Sequence, residues 1–489
     1  PNNGYLHRGV SYHESAVGKT IHMPTGDGRL IALNAINGEP RAGFGDSGFG
    51  SVDLLDDIPR LNLSTMQLSD AHDQPDAPDF AGIVSQIGNS SPGVMCNDTL
   101  ILGSSVHDGE VLPPSPPGDV RGFDPTSGKL LWTFHTVPRD GEFGIDTWEQ
   151  DSWKVNGNTN VWPPMSADES LGLVYLPTGA PTNNYYGGQR LGDNLFANSV
   201  VALDCQTGQR RWHFQTVHHD IWDYDLPAAP NLIDIVIAGE PIKAVAQVSK
   251  QGFLFVFDRI TGEPIWPIVE TAVPASTVPG ERVAPTQPIP SWPPPFVRQG
   301  SSVEALIDPY SADGYDTGPL YTPPTTKGLI ITPGEGGGAN WGGAAFDPTT
   351  QLLYVAGFGP LTHLVRLENG GSDDFYFARP ELFFGPTTGS PYPGNGSAIT
   401  AYDMNSGSIL WQVPGAEDPS VIGNAAVVIS GDLLIYKNSS LQTLNFFDKS
   451  DGTLLRSVPL GGRPTSSPMT YLDGDRQYII VAVGRQDEL

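Results

Sequence analysis

The chain has 489 residues, with 26 basic against 54 acidic side chains and a net charge of −28. That charge excludes nucleic acid as a partner, since phosphate binding needs clustered Lys and Arg. No run of apolar residues is long enough to span a bilayer as a helix.

Gly 58 and Pro 46 are spread between short apolar runs, and long amphipathic helical patterns are almost absent. Frequent tight turns joining strands predict an all-β fold. The sequence starts at Pro1 inside structured-looking sequence and ends at Gln486-Asp487-Glu488-Leu489. Both features are read as truncation. Cys96 and Cys205 form no metal or haem-attachment motif; one long-range disulfide and two buried thiols both remain open.

Taken in chain order, an internal repeat appears. Asp, then Gly four residues on, then Trp four further, follows an apolar strand at Asp124-Gly128-Trp132, Asp204-Gly208-Trp212, Asp258-Gly262-Trp266 and Asp403-Gly407-Trp411. Degenerate copies stand at Asn34-Gly38 and at Asp448-Gly452, where Arg456 takes the Trp position. The physics predicts a hairpin: Asp bonds turn amides, Gly supplies the positive φ, and the next strand carries the Trp. A lone hairpin cannot bury its face, so a Trp at fixed register implies neighbour docking on neighbour. The spacing suits four-stranded blades closed into a propeller, with a β-sandwich array as the runner-up that explains the Trp register less well. The proline-rich segment 271–299 is expected to be a stiff, extended, PPII-like surface loop.

After the strand-like run Arg211-Trp212-His213-Phe214-Gln215 comes Thr216-Val217-His218-His219-Asp220-Ile221-Trp222-Asp223-Tyr224-Asp225. So many acids, imidazoles and aromatics are poor core material and good site material on a rigid scaffold. The glycine-rich piece from Gly334 to Gly343 lacks GxGxxG spacing and a following helix, so it is no dinucleotide site.

The repeat, together with His218-His219-Asp220-Ile221-Trp222-Asp223-Tyr224-Asp225-Leu226-Pro227, resembles the PQQ-dependent quinoprotein dehydrogenases. The likeness is to the branch holding membrane-bound glucose dehydrogenase and its polyol, quinate and alcohol relatives. Further matching segments are His7-Arg8-Gly9-Val10-Ser11-Tyr12-His13-Glu14, Leu173-Val174-Tyr175-Leu176-Pro177 and Gly338-Ala339-Asn340-Trp341-Gly342-Gly343. The resemblance runs over essentially the whole chain. It implies an eight-bladed β-propeller, with residues 1–489 forming a single propeller domain of about seven blades' worth.

PQQ is a flat quinone with three carboxylates, so its pocket needs an aromatic floor, cations and oxygen ligands for a metal. The resemblance implies that Trp162 is the floor, Arg8 binds a carboxylate, and His13 covers the other ring face; it also puts Ser105, Asn340 and Trp341 at the cofactor. It implies a calcium or magnesium ion on Asp108 and Asp223, with Thr182 or Asn183 as the third ligand. Asp223 is then the general base, taking the hydroxyl proton as hydride passes to PQQ, while the metal and Lys250 offset the charge on the quinone oxygen. His218, His219 and Asp220 become structural support for it.

The chain departs from related branches in having Tyr5-Leu6-His7 where a vicinal Cys pair can stand, Ala356-Gly357 in place of an Asn, and Ile422-Gly423-Asn424-Ala425-Ala426 in the last blade. The implied activity is oxidation of an alcohol group of a sugar, polyol or cyclic alcohol. Electrons would pass to a quinone or separate cytochrome, in the periplasm or outside the cell. The alternative is a non-catalytic propeller serving as a binding or assembly scaffold.

Overall fold

A computed structural model of the protein describes residues 7–45, 50–55, 60–62, 67–69, 87–106, 114–306, 308–357, 362–372, 375–378, 380–383, 398–414, 426–439 and 441–484. Among these the only helical pieces are short 3-10 turns at Ile145–Thr147, Glu149–Lys154, Val303–Ala305 and Pro309–Ala312. The all-β expectation holds. The chain forms two compact units, residues 1–225 with 277–284 and 369–377, and residues 226–276 with 285–368 and 378–489.

The first unit holds three antiparallel four-stranded sheets. They are Ser11–Ser15, Gly18–Pro24, Arg29–Asn34 and Ser51–Asp53; Val94–Cys96, Thr99–Leu102, Val120–Phe123 and Leu130–Phe134; and Ser166–Asp168, Leu173–Pro177, Ser199–Asp204 and Arg210–Gln215. The second unit has Asn231–Ile237, Glu240–Val248 and Leu254–Asp258; Ala344–Asp347, Leu352–Gly357, Ala398–Asp403 and Ser408–Pro414; and Val427–Ser430, Leu433–Asn438, Thr443–Asp448 and Leu454–Pro459. Central strands such as Ser199–Asp204 are buried on both faces, because each sheet is covered by its neighbours. One core layer joins Ile101 and Val120 to Val174, Leu176, Val201 and Leu203. Another joins Tyr354, Ile399 and Ala401 to Leu434, Tyr436 and Phe447.

The repeat turn forms as its residues dictate. Asp124 Oδ1 accepts from the amides of Thr126 and Ser127 at 2.9 and 2.7 Å, and Asp204 Oδ1 from those of Gln206 and Thr207 at 3.1 and 3.0 Å. The closing glycines Gly38, Gly128, Gly208, Gly262, Gly407 and Gly452 all have φ between 68° and 78°, a region closed to most side chains. A register shift recurs at Gly122/Phe123, Ala202/Leu203, Ala401/Tyr402 and Phe446/Phe447, which re-aims the Trp strand.

The tryptophans dock on the next turn. The ring of Trp132 lies on Gly208, where a Cβ would come within 2.5 Å of Cε3, and its Nε1 donates to Cys205 O at 3.0 Å. Trp411 covers Gly452 in the same way. The copy at Gly407 differs: Trp292, from the proline-rich segment, lies closer to it than Trp266 does and donates to Ser406 O at 2.7 Å.

That segment also departs from the PPII expectation. Ile268–Ala272 and Thr286–Pro290 pair as an antiparallel ribbon, so ladder bonds, not solvated PPII chain, hold it extended. Its turn, residues 277–284, belongs to the first unit. The cysteine alternatives resolve to a Cys96–Cys205 disulfide joining two neighbouring sheets.

Candidate functional site

In the first unit, the loop after Arg210–Gln215 is folded by one carboxylate. Asp220 Oδ1 accepts from Trp222 N at 2.9 Å, while Oδ2 accepts from Tyr224 N and Asn198 Nδ2 at 2.8 Å each. The two amides flanking residue 223 are therefore pinned to a common anchor, and Asp223 turns into the left-handed region at φ 59°. Asp tolerates that region better than most residues. Burial pushes the Asp220 carboxyl up, against the opposing pull of those two amides.

Trp222 and Tyr224 stack with ring centroids 6.2 Å apart and are wholly buried, and Asp223 between them is 6% exposed. The loop is clamped from outside as well. His219 Nδ1 meets Gly192 O at 2.7 Å and Nε2 meets Glu281 Oε1 at 2.8 Å. Burial alone would raise the Glu281 carboxyl, but His219, the Gly187 amide and Arg190 outweigh it and hold it low. His218 Nδ1 bonds Gln215 Oε1 at 3.0 Å. These contacts hold the His218-His219-Asp220 segment in place beside Asp223.

Arg190, fully buried, ties a second segment to the same loop. Its guanidinium donates to Thr182 O at 3.0 Å, Asn183 O at 2.7 Å, Asn194 Oδ1 at 2.8 Å and Asp220 O at 2.5 Å. Burial lowers it to about 10, still charged at neutral pH. Thr182 and Asn183, both buried, are thus linked through one side chain to the backbone three residues before Asp223. Thr182 Oγ1 lies 2.9 Å from Ser115 Oγ. Asp108 lies outside the described residues.

The other end of the loop meets an aromatic plate. Asp225 Oδ2 accepts from Trp162 Nε1 at 3.2 Å, and its Oδ1 accepts from Ala180 N at 2.5 Å. The Arg8 guanidinium stands over the Trp162 ring, 5.1 Å from its centroid. Arg8 Nη1 also donates to Ser90 Oγ at 2.7 Å and Ser91 Oγ at 3.3 Å. Ser91 Oγ in turn donates to Trp162 O at 2.6 Å, and Ser90 Oγ lies 3.5 Å from Ser105 Oγ. Arg8, Ser105 and Trp162 therefore form one cluster, with burial bringing Arg8 down to about 10. His13 stands on the strand leading away from Arg8, half-buried, with the His22 ring 6.4 Å off.

In the second unit, Lys250 follows the strand Glu240–Val248 and is 4% exposed. Its side chain rests on Gly337, where a Cβ would come within 2.6 Å of Lys250 Cγ, and its carbonyl accepts from Gly338 N at 2.6 Å. A glycine is required there for close approach. The same loop carries Asn340, whose Nδ2 donates to Gly336 O at 3.1 Å and whose Oδ1 accepts from Trp341 N at 2.8 Å. Lys437 Nζ lies 5.1 Å from the Trp341 ring centroid. Among the described residues no three His, Cys, Asp or Glu side chains converge; Asp223, Thr182 and Asn183 offer hard oxygen donors of the type calcium and magnesium take.

Sequence reasoning missed Asp225, Arg190, Glu281 and Lys437. Asp225 stood among the acids of the singled-out loop without a role of its own, and Lys437 carried a signal as a lone lysine inside the apolar strand Leu433-Leu434-Ile435-Tyr436-Lys437.

Residues 1–479 match the family model described as PQQ: Glucose/ethanol/alcohol dehydrogenase, beta-propeller domain. The chain belongs to this PQQ family. Its β-sheets are those of the PQQ-dehydrogenase propeller. The chain is 29% identical to the quinoprotein glucose dehydrogenase of Escherichia coli K12, over 99% of this chain and 65% of that protein. It is 28% identical to the quinate/shikimate dehydrogenase (quinone) of Acinetobacter baylyi, over 95% and 61%. The crystal structure of quinohemoprotein alcohol dehydrogenase from Comamonas testosteroni matches with a TM-score of 0.68 at 21% identity, over 98% of this chain and 63% of that one. The chain of this PQQ-family member spans less than two thirds of the length of these relatives.

Proposed function

We propose that the protein is a PQQ- and divalent-metal-dependent dehydrogenase that oxidises an alcohol group of a sugar, polyol or cyclic alcohol. The observation that carries this reading is the Arg8 guanidinium held over Trp162, whose Nε1 is bonded to the loop containing Asp223. A flat tricarboxylate fits an aromatic face with a cation and serine hydroxyls beside it. Trp162, Arg8 and Ser105 would hold it, with His13, Lys250, Asn340 and Trp341 as further contacts. Asp223 with Thr182 or Asn183, and Asp108, would hold calcium or magnesium. Bound PQQ supplies the hydride acceptor, and the metal a Lewis acid.

The chain's own work is positioning and proton transfer. Asp223 takes the substrate hydroxyl proton on a carboxylate oxygen, its backbone fixed by Asp220. Lys250, braced by Gly337 and Gly338, presents a cation that stabilises developing negative charge. Electrons leave to a quinone or a separate cytochrome, and the setting is periplasmic or extracellular.

Purified protein mixed with PQQ and calcium, and offered a panel of sugars, polyols and cyclic alcohols, should show a quinone absorbance change and reduce a redox dye. Neither signal across the panel would sink the reading.

A further inference from the structure

Lys437 stands in the strand Leu433–Asn438, where every residue from Leu434 onward is buried, and is itself 1% exposed. Its ammonium meets no hydrogen-bond acceptor, and no carboxylate pairs with it among the described residues. Its neighbours are the Trp341 ring, 5.1 Å from Nζ, Leu444 opposite it on the next strand, and Arg463, a second positive charge that disfavours its own. Burying a charged amine unpaired is costly. A cation–π contact with one ring offsets only part of that cost. As a packing element the position would be better filled by Met or Leu, so the sheet bears a penalty that packing does not explain.

Three features make the position receptive to an anion. The ammonium, which can donate three hydrogen bonds, meets no acceptor among the described residues. An indole provides a flat wall beside it. Arg463 adds positive potential, and burial with that neighbour lowers the amine to about 7, as expected of a cation waiting for a counter-charge.

We propose that Lys437 is a carboxylate-binding residue of the proposed active site, gripping an acid group of a planar or cyclic ligand that lies along Trp341. This rests on the functional reading above. The carboxylate could come from the cofactor or from an acidic alcohol substrate, and the same experiment distinguishes the two.

Full-length wild type, Lys437→Met and Lys437→Arg are titrated with PQQ in calcium buffer by tryptophan quenching. Apparent melting temperatures are measured without PQQ, and KM is compared for a neutral polyol and a hydroxy acid. Lys437→Met should melt at the same temperature or higher, since it removes an unpaired buried charge. A PQQ Kd raised about tenfold or more, partly restored in Lys437→Arg, assigns the contact to the cofactor. An unchanged PQQ Kd with KM raised for the hydroxy acid alone assigns it to the substrate. Wild-type binding and KM values in Lys437→Met, or a fall in melting temperature that tracks the loss of binding, overturn the inference. Wild-type protein that binds no PQQ overturns instead the functional reading and removes the premise of this one.

Discussion

Arg8 holds its guanidinium over the face of Trp162, 5.1 Å from the ring centroid, while Ser91 bonds both the arginine and the tryptophan carbonyl. The cation thus has a fixed seat before any ligand arrives. Arg8→Met should weaken PQQ binding by about tenfold or more, the scale of a lost charge-assisted contact, with little change in melting temperature. Arg8→Lys should recover part of the loss, because the charge returns without the planar fork. Equal affinities for wild type and Arg8→Met in a fluorescence titration would remove Arg8 from the site.

Asp223 owes its left-handed backbone to the two neighbouring amides bonded to Asp220. Asp223→Asn preserves shape and these bonds while removing the carboxylate proposed as the proton acceptor. The turnover number should fall by about 10²–10⁴, the usual worth of a general base. Circular dichroism should be unchanged. Wild-type turnover on every substrate that the native protein oxidises would assign the base elsewhere.

The buried His219–Glu281 contact, 2.8 Å long with both side chains 1% exposed, fastens the 277–284 turn to the His-His-Asp loop. Removing the carboxylate leaves the buried His219 ring and the Gly187 amide without their acceptor, a loss on the order of 1–3 kcal/mol for each unsatisfied group. Glu281→Ala should lower the denaturant midpoint clearly and make the Trp222 region more open to hydrogen exchange. An unshifted midpoint would mean that the clamp contributes nothing.

These contacts mark what could be read from the chain alone. The Asp-Gly turns were legible because each is decided within five residues: a side-chain oxygen reaches amides two and three positions on, and glycine accepts the positive φ. The docking of Trp132 on Gly208 followed from the period, because each copy has the same neighbour. Trp292 at Gly407 did not follow, since its place comes from ribbon pairing between Ile268–Ala272 and Thr286–Pro290 that proline content obscured. Glu281 and Arg190 were equally hidden: an acid in a proline-rich segment and an arginine in a loop acquire meaning only through distant partners.

Cys96 and Cys205, both fully buried, close a loop across a sequence separation of 109 residues between neighbouring sheets. Removing a crosslink of that span costs roughly 2–5 kcal/mol in typical cases. The Cys96→Ala/Cys205→Ala double variant should melt several degrees lower than wild type, and reductant should have no further effect on it. If the double variant and the wild type melt together, the bond adds nothing to stability.

Lys437 predicts a distinctive pH response of the ligand-free protein. Its folded-state value is pushed by burial, then by Arg463, to about 7, below the ordinary lysine value that applies in the unfolded chain. Between those two values the unfolded chain binds more protons than the folded one, so stability attributable to this residue rises as pH increases. The penalty is fully felt below about 7, is relieved progressively above it, and is gone above the unfolded value. Lys437→Met has no such group and should show a flatter dependence of its denaturant midpoint from pH 7 upward. Saturating PQQ or an acidic substrate that pairs with the ammonium should pull the wild-type value back up and flatten its profile too. Parallel slopes for wild type and variant would show that Lys437 stays charged in the folded protein at neutral pH and above.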